Sequence, residues 1–439
     1  MFCYTGIIKN ISSYLIKYRL NQVMKMEKII FHVDVNSAYL SWSAVWDLQH
    51  GKALDIRTIP AIVGGDPQSR HGIVLAKSIP SKKYGIKTGE TLFSALVKCP
   101  ELKIVPPRYS VYMKASEAMV EILREYSPLI ERYSIDECFM DMSHLTRENA
   151  FDTATKLKDR IYEELGFSVN VGISTGKLLA KMASDLKKPN RVHTLYREEI
   201  QEKMWPLPVE DMFMVGPHTA EKLRNMNINT IGDLARTNPD FLYARFKKHG
   251  YVISAYARGM DSSLVRNEGT VEMKGMGNST TLPFDFTDKV SCHNVLLSIG
   301  ETLVPRLRAA ERLTKTVAIH IRTTDFASFS MQTTLTFATD STSHLMSIAC
   351  ELFDELWNGE PVRHLGISFS QLQDKHIQQL SLFKDSREVK NKSIDSVIDM
   401  LRKRFGDESV IRATFVNSPV KAFSGGIEEK DYIFMNSYL

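Results

Sequence analysis

KIIFHVDV (28–35) and YSIDECFMD (133–141) decide how this chain is read. The first is a short apolar strand that ends on an acid, Asp34; the second carries two adjacent acids, Asp136 and Glu137. Acids at the ends of two strands, about a hundred residues apart, are the oxygen donors that hard divalent cations take. Two such ions lying close together activate a hydroxyl and stabilise a leaving phosphate during in-line displacement. Any one of these acids alone reads as readily as a solvated strand end. A flat strand sends Asp136 and Glu137 to opposite faces, so a shared site requires a bend or hairpin turn at that pair.

Outward from these strands the pattern is α+β. NSAYLSWSAVWDLQ (36–49) is helix-compatible, and AIVGGD (61–66) reads as a strand running into a turn. In SVYMKASEAMVEILR (110–124), Val111, Ala115, Ala118, Met119 and Ile122 make a helical stripe. DTATKLKDRIYEELG (152–166) puts Ala154, Leu157, Ile161 and Leu165 inward, with Gly166 as the stop. Phe167, Val169, Val171 and Ile173 then alternate as a strand. This order predicts a split βαβ sheet with helices on one face.

From about residue 196 the chain reads as helical and basic. VGPHTAEKLRNMNINTIGDLA (215–235) has a Gly-Pro turn at Gly216 before a helix, where backbone N–H groups can meet phosphate. DSSLVRNEGTVEMKGMGNS (261–279) reads as a linker. Beyond it, helices 292–309 and 343–357 and strands 314–325, 330–337 and 362–372 predict a second small α+β domain. There Val317, Ile319 and Ile321 share one face, and His320 and Arg322 the other, which can lie along a phosphate backbone with Arg363.

Composition fits this reading. The 439 residues are 43% hydrophobic and 24% charged, as in a globular protein, and no apolar run is long enough to span a membrane. A net charge of +5 permits a nucleic-acid partner without requiring one. Basic charge is local, in RFKKHG (245–250, with Lys247 and Lys248), LKKPNR (186–191), KNK (390–392) and RKR (402–404). Five cysteines without CxxC spacing argue against a zinc site or disulfide framework and fit a reducing cytoplasm. Residues 1–24 hold three basic residues and no acid, with Met24 or Met26 as a plausible functional start.

FHVDVNSAY, YSIDECFMD and VGISTGKLLAKMASDLKKPN, in this order and spacing, closely resemble the Y-family translesion DNA polymerases, bacterial polymerase IV with some features of the polymerase V catalytic subunit. The resemblance runs from about residue 27 to 372. It implies a right-hand polymerase with a ferredoxin-like palm (27–36 and 107–195), fingers (37–106), a helix-hairpin-helix-like thumb (196–261), a linker (262–274) and a little finger (275–375). A segment 1–26 would precede these and a tail 376–439 follow. It further implies two Mg²⁺ ions on Asp34, Asp136, Glu137 and the Val35 carbonyl, with primer-template DNA and deoxynucleoside triphosphates as partners. Tyr39 falls at the steric gate against a 2′-hydroxyl, Lys188 at the lysine that reaches the triphosphate, and Lys82 at a phosphate contact.

Ser134 and Asp141 are expected to shape the turn, and Lys181 and Ser174 to be structural or DNA-facing. The chain departs from the family at Ile79, where a tyrosine is common, at Lys82 in place of arginine, and at Asn36 in place of a second acid. These departures predict a pocket with fewer polar contacts, and the small Ala38 a roomier floor. QLSLF (379–383) resembles a sliding-clamp peptide, with Gln379, Leu380, Leu382 and Phe383 docking into an apolar groove. SIDSVIDMLRKRF (393–405) follows as an amphipathic helix.

The expected protein is a cytoplasmic, monomeric polymerase of low fidelity without a proofreading site. One rival is a DNA-binding scaffold that kept the fold and lost the chemistry, against which all three acids stand. The other is a cyclase-like palm, which gives no reason for the thumb or the tail.

Overall fold

The structure is a computed structural model that describes residues 27–65, 72–267, 273–376, 386–416 and 418–424. The segment 1–26 and the peptide Gln379–Phe383 lie outside the described residues. In chain order the strands are β1 (Ile30–Val35), β2 (Ala61–Gly64), β3 (Val74–Lys77), β4 (Lys103–Val105), β5 (Ile130–Arg132), β6 (Glu137–Asp141), β7 (Val169–Ser174) and β8 (Val192–Thr194). They continue as β9 (Gly275–Phe286), β10 (Arg312–Thr323), β11 (Ser328–Thr339) and β12 (Val362–Asp374). They form a central sheet β5-β6-β1-β7-β8, a small sheet β3-β2-β4 and a C-terminal sheet β11-β10-β12-β9. No helix among the described residues is long and apolar enough to cross a membrane.

β1 lies between β6 and β7, antiparallel to both. All six of its residues are buried, which one helical layer cannot achieve for a strand whose side chains alternate. Phe31, Val33 and Val35 pack with Met119, Leu123, Leu157 and Ile161 of helices Tyr109–Tyr126 and Arg147–Leu165. Each such buried side chain contributes about 1.5–3 kcal/mol of transfer free energy. Ile30 and Phe139 face the other way, onto Ala180 of helix Lys177–Asp185. The expectation of helices on one face is therefore corrected, because this third helix covers the second face. Gly172 of β7 makes room for it: a Cβ there would lie 1.9 Å from the Ala180 carbonyl oxygen.

The stripe of helix Tyr109–Tyr126 also differs from expectation. Tyr112, Ser116, Met119, Val120 and Leu123 are buried with Ile122, while Val111, Ala115 and Ala118 are half-buried. Tyr112 turns inward because its hydroxyl finds Ser43 Oγ at 2.8 Å.

In the helical module, Gly216 precedes helix Pro217–Arg224, and Thr230 and Asp233 form a reciprocal cap on helix Ile231–Arg236. Lys247 and Lys248 are exposed at the junction of helices Pro239–Phe246 and Lys248–Ala257.

In the C-terminal sheet Val317, Ile319 and Ile321 are buried, while His320 and Arg322 are exposed as expected. Arg363 sits over the Phe326 ring at 4.9 Å. β9 corrects the linker reading: Gly275–Phe286 is an edge strand paired with β12. The tail helix runs Ser386–Phe405, longer than expected, and it docks by charge. Arg308 binds Asp399, and Glu301 binds Arg402 and Arg412, while Ile394, Val397 and Met400 stay exposed.

Candidate active site

The bend demanded by the acid pair is present. β5 and β6 are joined by residues 133–136, and Glu137 O accepts from the Tyr133 and Ser134 backbone N–H groups at 2.9 and 3.1 Å. Asp136 therefore lies in the turn, where Ser134 Oγ donates to Asp136 Oδ1 at 2.5 Å. Glu137 is the first residue of β6 and pairs in register with Asp34 of β1. Val35 N–H donates to the Asp136 carbonyl at 3.0 Å, fastening the turn to the strand end. Asp141 caps the other end by accepting from Ser143 N–H at 2.9 Å.

Asp34 and Glu137 thus lie side by side on the face covered by helix Lys177–Asp185, with Asp136 in the adjoining turn. Burial pushes the Asp34 carboxyl up to about 7, with Lys188 opposing and the charges of Glu137 and Asp136 adding. Burial likewise raises Asp136, against the pull of its Ser134 hydrogen bond.

Two lysines balance this charge. Lys188 Nζ donates to Asp34 Oδ2 at 2.7 Å and pairs with Asp185 Oδ1 at 2.8 Å. Lys181 Nζ donates to Glu137 Oε1 at 2.7 Å. Among the described residues no three His, Cys, Asp or Glu groups are gathered as the ligand set of one ion. Sequence reasoning put all three acids in one set; the geometry places them as neighbours, with Glu137 drawn toward Lys181. The donors still fit a hard cation: they are carboxylate oxygens, crowded, and matched by ammonium charges that an ion can replace.

His32, two residues before Asp34 on the same face, is fully buried. Ser184 Oγ donates to the Lys181 carbonyl at 2.8 Å, so His32 Nδ1, 2.8 Å from Ser184 Oγ, must be the donor of that contact. Burial, then the Lys181 charge, holds the ring below its ordinary pKa. Its Nε2 lies 3.8 Å from Glu137 Oε2, beyond hydrogen-bond range.

Tyr39, in the first turn of helix Ala38–Gln49, stacks on Tyr112 with centroids 4.6 Å apart and meets Tyr109 edge-on at 6.1 Å. Burial, then the charge of Asp136, pushes its hydroxyl up to about 12. Lys82 is exposed at the end of the short helix Ile79–Lys82, and Ile79 is half exposed. No hydrogen bond or ion pair joins Lys82 to the acids among the described residues.

Asn36 is engaged within the protein. It donates to Asn170 Oδ1 at 3.1 Å and accepts from Ser168 Oγ at 3.0 Å and Asn190 N–H at 2.8 Å. Asn170 in turn donates to the Ser184 and Lys187 carbonyls at 2.9 and 2.8 Å. This network latches the loop carrying Lys188 onto β1, a role that sequence reasoning missed.

The model of the impB/mucB/samB family matches residues 33–185, that of its C-terminal domain 273–382, and the IMS family HHH motif 197–228. DNA polymerase IV of Clostridium acetobutylicum is 46% identical over 397 residues, covering 90% of this chain and 100% of the relative. The chain belongs to the Y-family DNA polymerases. DNA polymerase IV 2 of Bacillus subtilis is 37% identical, over 91% of this polymerase and 97% of that one. DNA polymerase IV of Acetivibrio thermocellus is 36% identical, over 88% and 97%. A solved Y-family DNA polymerase chimera of Dbh and Dpo4 matches the fold with a TM-score of 0.68 and 23% identity, over 79% of this chain and 99% of the chimera. The polymerase is thus polymerase IV-like, a DNA-directed DNA polymerase of the translesion type. Family membership also carries divalent-metal dependence in general.

Proposed function

We propose that this polymerase extends a primer 3′-hydroxyl with deoxynucleotides through Asp34, Asp136 and Glu137. The observation that carries the reading is the register of Asp34 against Glu137, with Asp136 held in the adjoining turn. Asp34, Asp136, Glu137 and the Val35 carbonyl would hold two Mg²⁺ ions. When bound, those ions lower the pKa of the attacking hydroxyl and neutralise the leaving pyrophosphate.

The chain's own groups do the remaining work. Lys188, latched by the Asn36 network, exchanges Asp34 for the triphosphate as a point charge. Lys82 adds a second cation from the fingers. Tyr39, fixed by its stack on Tyr112, forms the floor under the sugar and excludes a 2′-hydroxyl. Gly216, Lys247 and Lys248 would bind phosphates of primer and template on one side, and His320, Arg322 and Arg363 on the other. A depression of about 490 Å³ over His320, Arg322, Ser330, His364 and Ser368 offers polar groups to that backbone. Primer extension on a defined template, with and without Mg²⁺, tests this reading. Extension that ignores the template would end it.

Tyr39→Ala is expected to lower discrimination against ribonucleotides at least about 10²-fold, read from the ratio of kcat/KM values for the two sugars. An unchanged ratio removes the gate role. The peptide Gln379–Phe383 is proposed to bind the sliding clamp of a monomeric, cytoplasmic enzyme through Gln379, Leu380, Leu382 and Phe383. Deleting it is expected to leave basal extension intact and abolish stimulation by the clamp. Equal stimulation would count against the peptide.

A further inference from the structure

Lys181 touches a candidate metal ligand, yet the proposed chemistry gives it no task. Its side chain is 10% exposed, and its ammonium sits 2.7 Å from Glu137 Oε1. The same nitrogen lies 5.2 Å from the Tyr133 ring centroid and 5.7 Å from that of Phe213. Tyr133 opens the acid-bearing turn, whereas Phe213 belongs to the helical module and stacks on Tyr256. The two rings meet edge-on at 6.4 Å, making a corner around the ammonium.

A buried ammonium needs compensation, and a carboxylate supplies more of it than ring faces do. A divalent cation that takes Glu137 also repels Lys181. The two rings are then the contact left to it without leaving the interior.

We infer that Lys181 is a positioning residue that competes with a divalent cation for Glu137, and that Tyr133 and Phe213 receive its ammonium when the carboxylate turns to the ion. This rests on Glu137 being a metal ligand. It links the orientation of that ligand to the seating of the helical module, which carries Phe213, against the central sheet.

The test is binding of Mn²⁺ alone to the full-length protein without DNA or nucleotide, read as free Mn²⁺ by electron paramagnetic resonance. Asp34→Asn and Glu137→Gln come first and are expected to weaken binding. If they do not, the metal assignment itself fails and the inference on Lys181 falls with it, an outcome distinct from the Lys181 results below. With those controls in place, Lys181→Met is expected to bind Mn²⁺ about 5-fold tighter, because a competitor is gone. Phe213→Leu is expected to bind it about 2–5-fold more weakly, because the displaced ammonium has lost half its refuge. In the Lys181→Met background Phe213→Leu should change nothing, and Lys181→Arg should restore wild-type binding. Circular dichroism melts check that each variant is folded. A purely structural Lys181 would make both single variants weaken binding alike. That result, or a Phe213 effect that persists without Lys181, overturns the inference.

Discussion

Asp136→Ala and Glu137→Ala are each expected to lower the primer-extension rate by at least about 10³-fold while leaving DNA affinity unchanged. The geometry separates the two outcomes. Asp136 lies in the 133–136 turn, where its side chain meets only Ser134 among the hydrogen bonds described, so truncation removes an oxygen donor without disturbing the ladder. Glu137 pairs with Asp34 through its backbone, which alanine retains, while Lys181 loses its carboxylate and keeps the Tyr133 and Phe213 rings. The proposed phosphate contacts at Lys247, Lys248, His320 and Arg322 are on other elements. Single-turnover extension and a gel-shift titration on the same primer-template check both halves. Full extension by either variant removes that acid from the catalytic set.

No single acid announces a site, since each alone reads as a solvated strand end; it is the pattern of three motifs that sets them apart, and the bend at Asp136-Glu137 follows from the alternation of strand faces. Gly166 was legible too, since its φ of 77° is one that glycine adopts freely at a helix end. What escaped sequence reasoning has physical causes. GMGNSTT, the first part of β9, lacks the apolar alternation of a strand, yet as an edge it needs only one partner. Gly275 is required by contact: a Cβ on it would lie 2.8 Å from the Phe369 carbonyl oxygen. Tyr112 and Ser116 read as surface letters until Ser43 supplies the hydroxyl of Tyr112 with a partner. Asn36 and Asn170 are 134 residues apart, and no local pattern announces that one donates to the other. The tail helix is legible from its apolar spacing, but its docking is not, because the partners of Arg402 and Asp399, Glu301 and Arg308, lie about a hundred residues away in another helix.

Lys177→Met is expected to destabilise the central sheet by about 3–5 kcal/mol, a fall of roughly 10 °C in its unfolding midpoint. Lys177 and Glu131 form an ion pair with side-chain exposures of 0% and 1%, both carboxylate oxygens lying 2.9 Å from the ammonium. Such a pair contributes little net stability when intact, because desolvating both ions offsets their attraction. Removing the cation alone is different: it leaves a carboxylate buried beside an apolar side chain, with the Arg266 N–H still donating at 2.8 Å. The cost extends to the start of the linker, because Arg266 hangs on Glu131 and Val265 packs on Ile30, Phe139 and Ala180. Lys177→Met/Glu131→Leu, which removes both charges, is expected to recover most of the loss, and thermal melts of the two singles and the double measure the coupling. Additive losses in the double variant would show that the pair acts by packing rather than by charge.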